Sequence, residues 1–317
     1  MRILITGGFG YLGGRLAQFL QQSGNHTIVL GTRDRKAKPE WLPNSEVVVI
    51  DWTLPDSLNQ SCKGVDIIIH LAAMNAKECA VDPVKALDFN GVATAMLISA
   101  AVKQNVKRFI YFSTAHVYDS PLVGEISEST FPQSLHPYAT SHRAAEDVVL
   151  AAHFRHEIEA IVVRLSNSFG APVHKNVNCW MLLVNDLCKQ VVTTNKIVLN
   201  SNGLQRRDFI TLSDVCRAIL HLMYCDVKLF RTPLINLGGD WAPTVWEMAN
   251  IIAQYYIDDY AIEPIINRKY SARDDKSPDL KYNIDLLKGT GFVLQSSIRN
   301  EIKELLKFCK INFNNLQ

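Results

Sequence analysis

The sequence predicts an α/β protein: a doubly wound, Rossmann-like parallel sheet carrying a smaller C-terminal lobe. Three observations point there. Short apolar runs alternate with helical periods through residues 1–170, the first of these runs feeds directly into the glycine-rich stretch Thr6-Gly7-Gly8-Phe9-Gly10-Tyr11-Leu12-Gly13, and the alternation stops near Gly170. Alternating strands and helices build a sheet covered on both faces, which takes ligands beyond the carboxyl ends of its strands.

In chain order, strands are expected at Ile3–Thr6, Thr27–Leu30, Val47–Ile50, Asp66–Leu71, Arg108–Ser113 and Ala160–Leu165. Each is short and rich in Ile, Val or Phe, as strands buried on both faces are. Between them the helical period predicts Tyr11–Gln22, Pro55–Ser61, Asp82–Gln104 and Tyr138–Phe154. Beyond Gly170, Val198–Leu199 and Phe209–Thr211 read as strands and Ser213–Tyr224 and Thr244–Tyr256 as helices, with Leu286–Gly291 and Ile298–Phe308 closing the chain. No repeat, low-complexity tract or long linker separates the two parts.

Composition narrows the partners. Among 317 residues, Lys plus Arg number 33 against 31 Asp plus Glu, and no basic stripe appears, so neither nucleic acid nor a membrane is expected as partner. A small molecule is. The seven cysteines form an odd set without a CxxC pair or metal-ligand spacing, which fits reduced thiols in a cytoplasmic setting and no metal site. Met1 to Ile5 has no charged leader or cleavage site and reads as a strand, and no apolar run approaches bilayer length.

A chain leaving a strand at Ile5 must turn sharply into the next helix. Glycines at 7, 10 and 13 let the first helical amides approach a pyrophosphate with no side chain in the way. A glycine triplet alone is equally an ordinary tight turn; the strand before it, the helix after it and the next strand at Thr27 favour a dinucleotide. Gly7, Phe9, Gly10, Tyr11, Leu12 and Gly13 are the residues expected to meet it. An acidic residue at the end of the second strand normally takes the ribose hydroxyls of NAD, but here Gly31 is followed by Thr32, Arg33, Asp34, Arg35 and Lys36. The missing carboxylate and Arg33 favour the 2′-phosphate of NADP, with NAD as the second choice and a solvated charge run as the plainer reading.

Tyr138 and His142 lie four residues apart at a helix start and so share a face. With a free pKa of about 10, a phenol becomes a useful base only beside a cation. Read alone, the pair is explained as well by packing. Thr114, ending the fifth strand, offers a hydroxyl to a substrate oxygen, although a hydroxyl at a strand end is commonplace.

Taken together, these stretches make the chain similar, over nearly its whole length, to the extended short-chain dehydrogenases/reductases of the nucleotide-sugar epimerase/dehydratase type. Residues 6–13 resemble TGxxGxxG, Phe112-Ser113-Thr114-Ala115-His116-Val117-Tyr118 resembles SSxxVYG, and Tyr138 to His142 stand where YxxxK belongs. Arg164-Leu165-Ser166-Asn167-Ser168-Phe169-Gly170 resembles RxxNxxG, and residues 202–210 resemble GxxxRDF; Asn236 to Gly239 and Arg273 to Asp275 match NxGxG and RxGD more loosely. The resemblance implies Tyr138 as acid/base with Thr114 and His142 completing the catalytic set, His142 reaching the nicotinamide ribose. It implies Asn167 toward the sugar nucleotide, Arg207 and Arg273 toward its diphosphate, Asp51 on the adenine amino group with Trp52 beside it, and Leu71, Ala72 and Ala73 under the cofactor. Relatives commonly dimerise through two helices per subunit, here Asp82–Gln104 and Tyr138–Phe154, so a homodimer is expected.

Two departures qualify what the resemblance implies. His142 replaces a lysine, and a neutral imidazole donates to a ribose while adding little positive field. Ala115-His116 follow Thr114 where 4,6-dehydratases carry Asp-Glu, which disfavours that dehydration. The expected activity is redox chemistry on a nucleotide-linked sugar, either an NADPH-dependent keto-sugar reductase or an NAD(P)-dependent 4-epimerase. The alternative from another class is a non-catalytic dinucleotide-binding sensor or assembly protein, for which His142 is the support. Residues 1–170 are then the dinucleotide-binding domain, with strands near 209–237 returning to it, and 171–317 mainly the substrate-binding lobe.

Overall fold

The computed structural model describes residues 1–269 and 278–313. Seven parallel strands form the main sheet: β1 (Arg2–Thr6), β2 (Thr27–Thr32), β3 (Glu46–Val49), β4 (Ile67–His70), β5 (Arg108–Thr114), β6 (Glu159–Leu165) and β7 (Leu234–Leu237). Their order is β7-β6-β5-β4-β1-β2-β3, so the direction of winding reverses between β1 and β4. That reversal opens a crevice at the carboxyl ends of those two strands.

The principal helices are α1 (Tyr11–Ser23), α2 (Pro55–Cys62), α3 (Ala93–Lys103), α4 (Pro137–Phe154), α5 (Leu183–Thr194), α6 (Leu212–Tyr224), α7 (Val245–Tyr260) and α8 (Ile298–Phe313). Strand alternation assigns them to faces. Ile3 and Ile5 point into a core with Leu16 and Leu20 of α1 and Ile219 and Leu222 of α6, whereas Leu4 enters a second core with Leu58 of α2, Leu97 of α3 and Val149 of α4. A third core unites α5, α7 and α8 through Val191, Ile252 and Leu305. It is tied back to the first helix by Arg15, whose guanidinium donates to Ala171 O at 2.7 Å and pairs with the buried Glu301 at 3.2 Å.

Several elements differ from their sequence expectation. β2 runs on to Thr32, because Gly31 and Thr32 still pair with Val48 and Val49 of β3. The segment expected as one helix, Asp82–Gln104, is three pieces: Asp82 caps the short helix Pro83–Ala86, Leu87–Val92 is wound as a π turn, and α3 follows. The wider turn carries Asn90 into the interior, where its amide donates to Ser141 Oγ at 3.0 Å. Phe209–Thr211 pairs with Asn167–Phe169 in a separate two-stranded sheet, so of the stretch 209–237 only Leu234–Leu237 joins the main sheet. The closing piece expected at Leu286–Gly291 is a single helical turn, Asp285–Lys288. Helix α5 and the short strands Gly124–Ile126, Ile265–Arg268 and Leu280–Tyr282 had no assignment from sequence. Among the described residues no helix is long and apolar enough to cross a membrane.

Candidate active site

The first half of the site is the turn after β1. Gly7 has φ +68°, and a Cβ there would lie 3.1 Å from Ala72 N, so glycine is required on both counts. Gly10 N donates to Gly7 O at 2.8 Å and closes the turn, while a Cβ on Gly13 would fall 2.3 Å from the same carbonyl. Helix α1 then starts with no side-chain cap and no acid in its first turn, leaving its leading amides to an anion. Above it lies a cavity of about 510 Å³, lined by Gly7, Phe9 and Gly10, by Leu71, Ala72 and Ala73, and by Arg33, Lys36, Trp52 and Phe89. These residues fit a dinucleotide. Arg33 lies 5.8 Å over the Phe89 ring and Lys36 lies 4.8 Å over Phe9, two cations at the end of β2. Packing gives Gly31 a reason of its own, since a Cβ would meet Ile50 Cδ1 at 2.8 Å.

Three expected cofactor residues sit differently. The Tyr11 phenol turns away from the cavity and donates to Gly170 O at 2.9 Å, so only its backbone faces the glycine turn. Leu12 packs against the first core. Asp51 is exposed and does not line the cavity; its Oδ1 accepts from Thr53 N and Thr53 Oγ1 at 2.9 and 2.7 Å.

Beneath the cavity floor is His70, buried at the end of β4. Thr6 Oγ1 accepts from the amides of Leu71 and Ala72 at 3.1 and 3.2 Å, which occupies both its lone pairs. Its proton therefore goes to His70 Nδ1 at 2.6 Å, and His70 carries its own proton on Nε2, donating to Thr94 Oγ1 at 2.9 Å. Thr94 passes the chain on to Asn90 O at 2.6 Å. Burial pushes the imidazole down to about 3, so it is neutral at physiological pH.

The second half is a cavity of about 300 Å³ lined by Thr114, His116, Tyr138, Asn167 and Arg207, among others. Thr114 Oγ1 accepts from His116 N at 3.2 Å, capping the short turn after β5. Burial raises the Tyr138 pKa above its ordinary value, with the neighbouring Thr114 hydroxyl working the other way. The Tyr138 and His142 rings meet edge to face, with centroids 4.6 Å apart. His142 is not a cation: it is 3 % exposed, burial lowers its pKa to about 4, and its Nδ1 lies 2.7 Å from the Tyr111 hydroxyl. In the lysine position it therefore supplies no positive charge beside Tyr138. Arg207 makes one contact to a side chain, donating to Gln205 Oε1 at 3.3 Å, and has no carboxylate partner among the described residues. One N–H of Asn167 is committed to Asp208 O at 2.9 Å. Arg273 lies outside the described residues.

Behind this cavity, Glu146 is buried between α4 and the sheet. It pairs with Arg164 through bonds of 2.9 and 2.6 Å and accepts from Ser113 Oγ at 2.5 Å. Asp208, fully buried, accepts from Ser166 Oγ and Gly239 N and is pushed up to about 6 by desolvation. Among the described residues no cluster of His, Cys, Asp or Glu is arranged to hold a metal.

Sequence reasoning missed Lys36, Phe89 and Asn176 to Asn178 at the first cavity and Met181 and Leu182 at the second. Lys36 carried a signal, as part of the cationic run after β2; Phe89 lay within the helix expected at Asp82–Gln104, and the others come from chain segments with no periodic or motif signal.

Comparison with known proteins agrees with this geometry. A family model described as the NAD dependent epimerase/dehydratase family matches residues 3–238. The human protein dTDP-D-glucose 4,6-dehydratase is 24 % identical over 99 % of this chain and 91 % of its own length. UDP-glucuronic acid decarboxylase 6 of Arabidopsis thaliana is 28 % identical over 88 % of this chain and 81 % of its own. Among solved structures, MoeE5 in complex with UDP-glucose and NAD shares the fold with a TM-score of 0.78 at 23 % identity, covering 98 % of this chain and 99 % of that one.

Proposed function

The chain belongs to the NAD-dependent epimerase/dehydratase family, and on that premise we propose that it is an oxidoreductase of nucleotide-linked sugars, an NADPH-dependent keto-sugar reductase. One observation carries the reading: Tyr138 and Thr114 converge on the same cavity as Arg207, a cation with no carboxylate partner among the described residues. Arg207 holds the substrate diphosphate, which its planar fork suits. Thr114 donates to the sugar carbonyl oxygen and polarises it. Tyr138 gives its proton to that oxygen as the carbonyl is reduced. A phenol with a raised pKa and no cationic neighbour serves as an acid, which favours the reductive direction. The glycine turn, the α1 amides, Trp52 and Arg33 hold the dinucleotide, whose nicotinamide supplies the hydride. Arg33 and Lys36 favour its 2′-phosphate.

A second reading, a 4-epimerase, is favoured by the likeness to a protein holding NAD and UDP-glucose together. The non-catalytic alternative finds no support. To test the proposal, the protein is mixed with NADPH and a series of UDP- and dTDP-linked 4-keto sugars while nicotinamide absorbance is followed. Stoichiometric NADPH consumption is expected, and Tyr138→Phe should abolish it. Interconversion of UDP-sugars without net consumption would replace the reductase by the epimerase. Bound dinucleotide with no turnover of any sugar would sink both.

A further inference from the structure

We infer that His116 becomes a cation of the sugar cavity only when substrate binds: its imidazole takes up a proton and joins Arg207 on an anionic oxygen of that substrate. This rests on the nucleotide-sugar reading above and deepens it, by making substrate binding proton-coupled.

Among the described residues lining this cavity, the ionisable side chains are Arg207, His116 and the Tyr138 phenol, and no carboxylate is present. A nucleotide-linked sugar brings negative charge to a site with no anion of its own. His116 is held in place to meet it. The turn Ala115–Val117 follows β5 directly, and Thr114 Oγ1 accepts from His116 N at 3.2 Å, so one capped turn carries both the Thr114 hydroxyl and the imidazole. The His116 side chain is exposed, and neither ring nitrogen has a hydrogen-bonding partner among the described residues.

The other two histidines nearby are not available in this way. His136 Nδ1 accepts from Tyr138 N at 3.1 Å and caps α4, so a proton on that nitrogen would break the cap. His142 is buried behind Tyr138 and does not line the cavity.

The empty site keeps the His116 ring neutral. The surrounding protein desolvates it, and the positive charges of Arg207 and then His136 face it, which together hold its pKa below the ordinary histidine value. From the remaining walls, Asn167, Ser168 and Met181 to Val184 bring no charge. A bound anion reverses this balance: it neutralises Arg207 and sets negative charge against the ring, which favours the imidazolium. The protonated ring donates from both nitrogens, and its bond to an anionic oxygen is of the stronger, charge-assisted kind. Anion and proton therefore each promote the binding of the other. That oxygen has two sources, the diphosphate or a carboxylate on the sugar.

Calorimetry with UDP-glucose and with UDP-glucuronic acid, repeated in buffers of different ionisation enthalpy, counts the protons taken up; neither ligand has a group that titrates near neutrality. Uptake of up to about one proton is expected, with affinity falling by up to about tenfold per pH unit toward the alkaline side. His116→Gln keeps a donor but cannot titrate, so its binding should take up no proton and be level with pH. Uptake with both ligands assigns the oxygen to the diphosphate, and uptake with UDP-glucuronic acid alone assigns it to a sugar carboxylate. No uptake with either, or an uptake that persists in His116→Gln, would overturn the inference. Should that variant not fold, NMR of the wild type decides: UDP-glucose or UDP-glucuronic acid should move the His116 ring titration to higher pH, and a titration unmoved by both overturns it. If neither nucleotide sugar binds, the nucleotide-sugar reading falls and this inference with it; binding without proton uptake removes the inference alone.

Discussion

Arg33 and Arg207 line the two cavities, and neither forms an ion pair with a carboxylate among the described residues, although Asp34 lines the first cavity beside Arg33. Each therefore gives a clean ligand-specific prediction. Arg33→Ala should abolish most of a preference for NADPH over NADH, because Gly31 takes the place of the usual carboxylate at the end of β2 and, with Arg33 gone, Asp34 is left lining the same cavity. Parallel titrations with the two nucleotides check this, and equal affinities in the wild type would refute it. Arg207→Ala should weaken binding of a UDP-sugar by about 1.5 to 3 kcal/mol, the range for a hydrogen bond to a charged group, and leave dinucleotide affinity intact. Calorimetry on each ligand separately decides; a joint loss would make Arg207 structural.

At the scale of elements, α4 matters because it carries Tyr138 and His142 and is pinned to the sheet from within. Glu146 lies one turn beyond His142, pairing with Arg164 of β6 and accepting a hydrogen bond from Ser113 Oγ of β5. Both charges are almost wholly buried, at 2 % and 5 % side-chain exposure. Removing one partner of such a pair strands the other, so Glu146→Ala should cost about 3 to 5 kcal/mol in denaturant unfolding. Glu146→Gln keeps the hydrogen-bonding shape and should cost less. Equal, small losses for both would show that the pair does not anchor the helix.

For the whole molecule, stability should fall as pH drops below about 6.5, the ordinary histidine value. His70 and His142 are held neutral down to about 3 and about 4, so below 6.5 the unfolded chain binds protons that the folded chain does not. Stability then rises with pH in this window by about 1.4 kcal/mol per unit for each histidine. Asp208 opposes them. Its pKa is raised to about 6, so from there down toward 3.8 the folded chain binds the extra proton and acid stabilises it. For these three groups together the net uptake on unfolding grows below 6.5 and levels off at about one proton between pH 6 and 5. Unfolding free energies measured across this range should show His70→Asn with a slope shallower by about one proton, and identical slopes would contradict the neutral buried histidine.

The sequence by itself determined the sheet strands through Leu165 and the glycine turn, and it singled out Thr114 at a strand end, Tyr138 at a helix start and Arg207 ahead of Phe209, which the fold brings to one cavity. Those features are local: strand and helix periods, and a turn that only glycine can make, are written in neighbouring residues. The π turn at Leu87–Val92 was not legible, since what favours it is Asn90 reaching Ser141 across 51 positions. The charge of His142 was not legible either. A motif position says which residue replaces lysine, but its neutrality follows from burial against β5, where its Nδ1 meets the hydroxyl of Tyr111, 31 positions earlier. Desolvation and hydrogen-bond satisfaction are properties of the enclosing volume, so only the tertiary structure decided them.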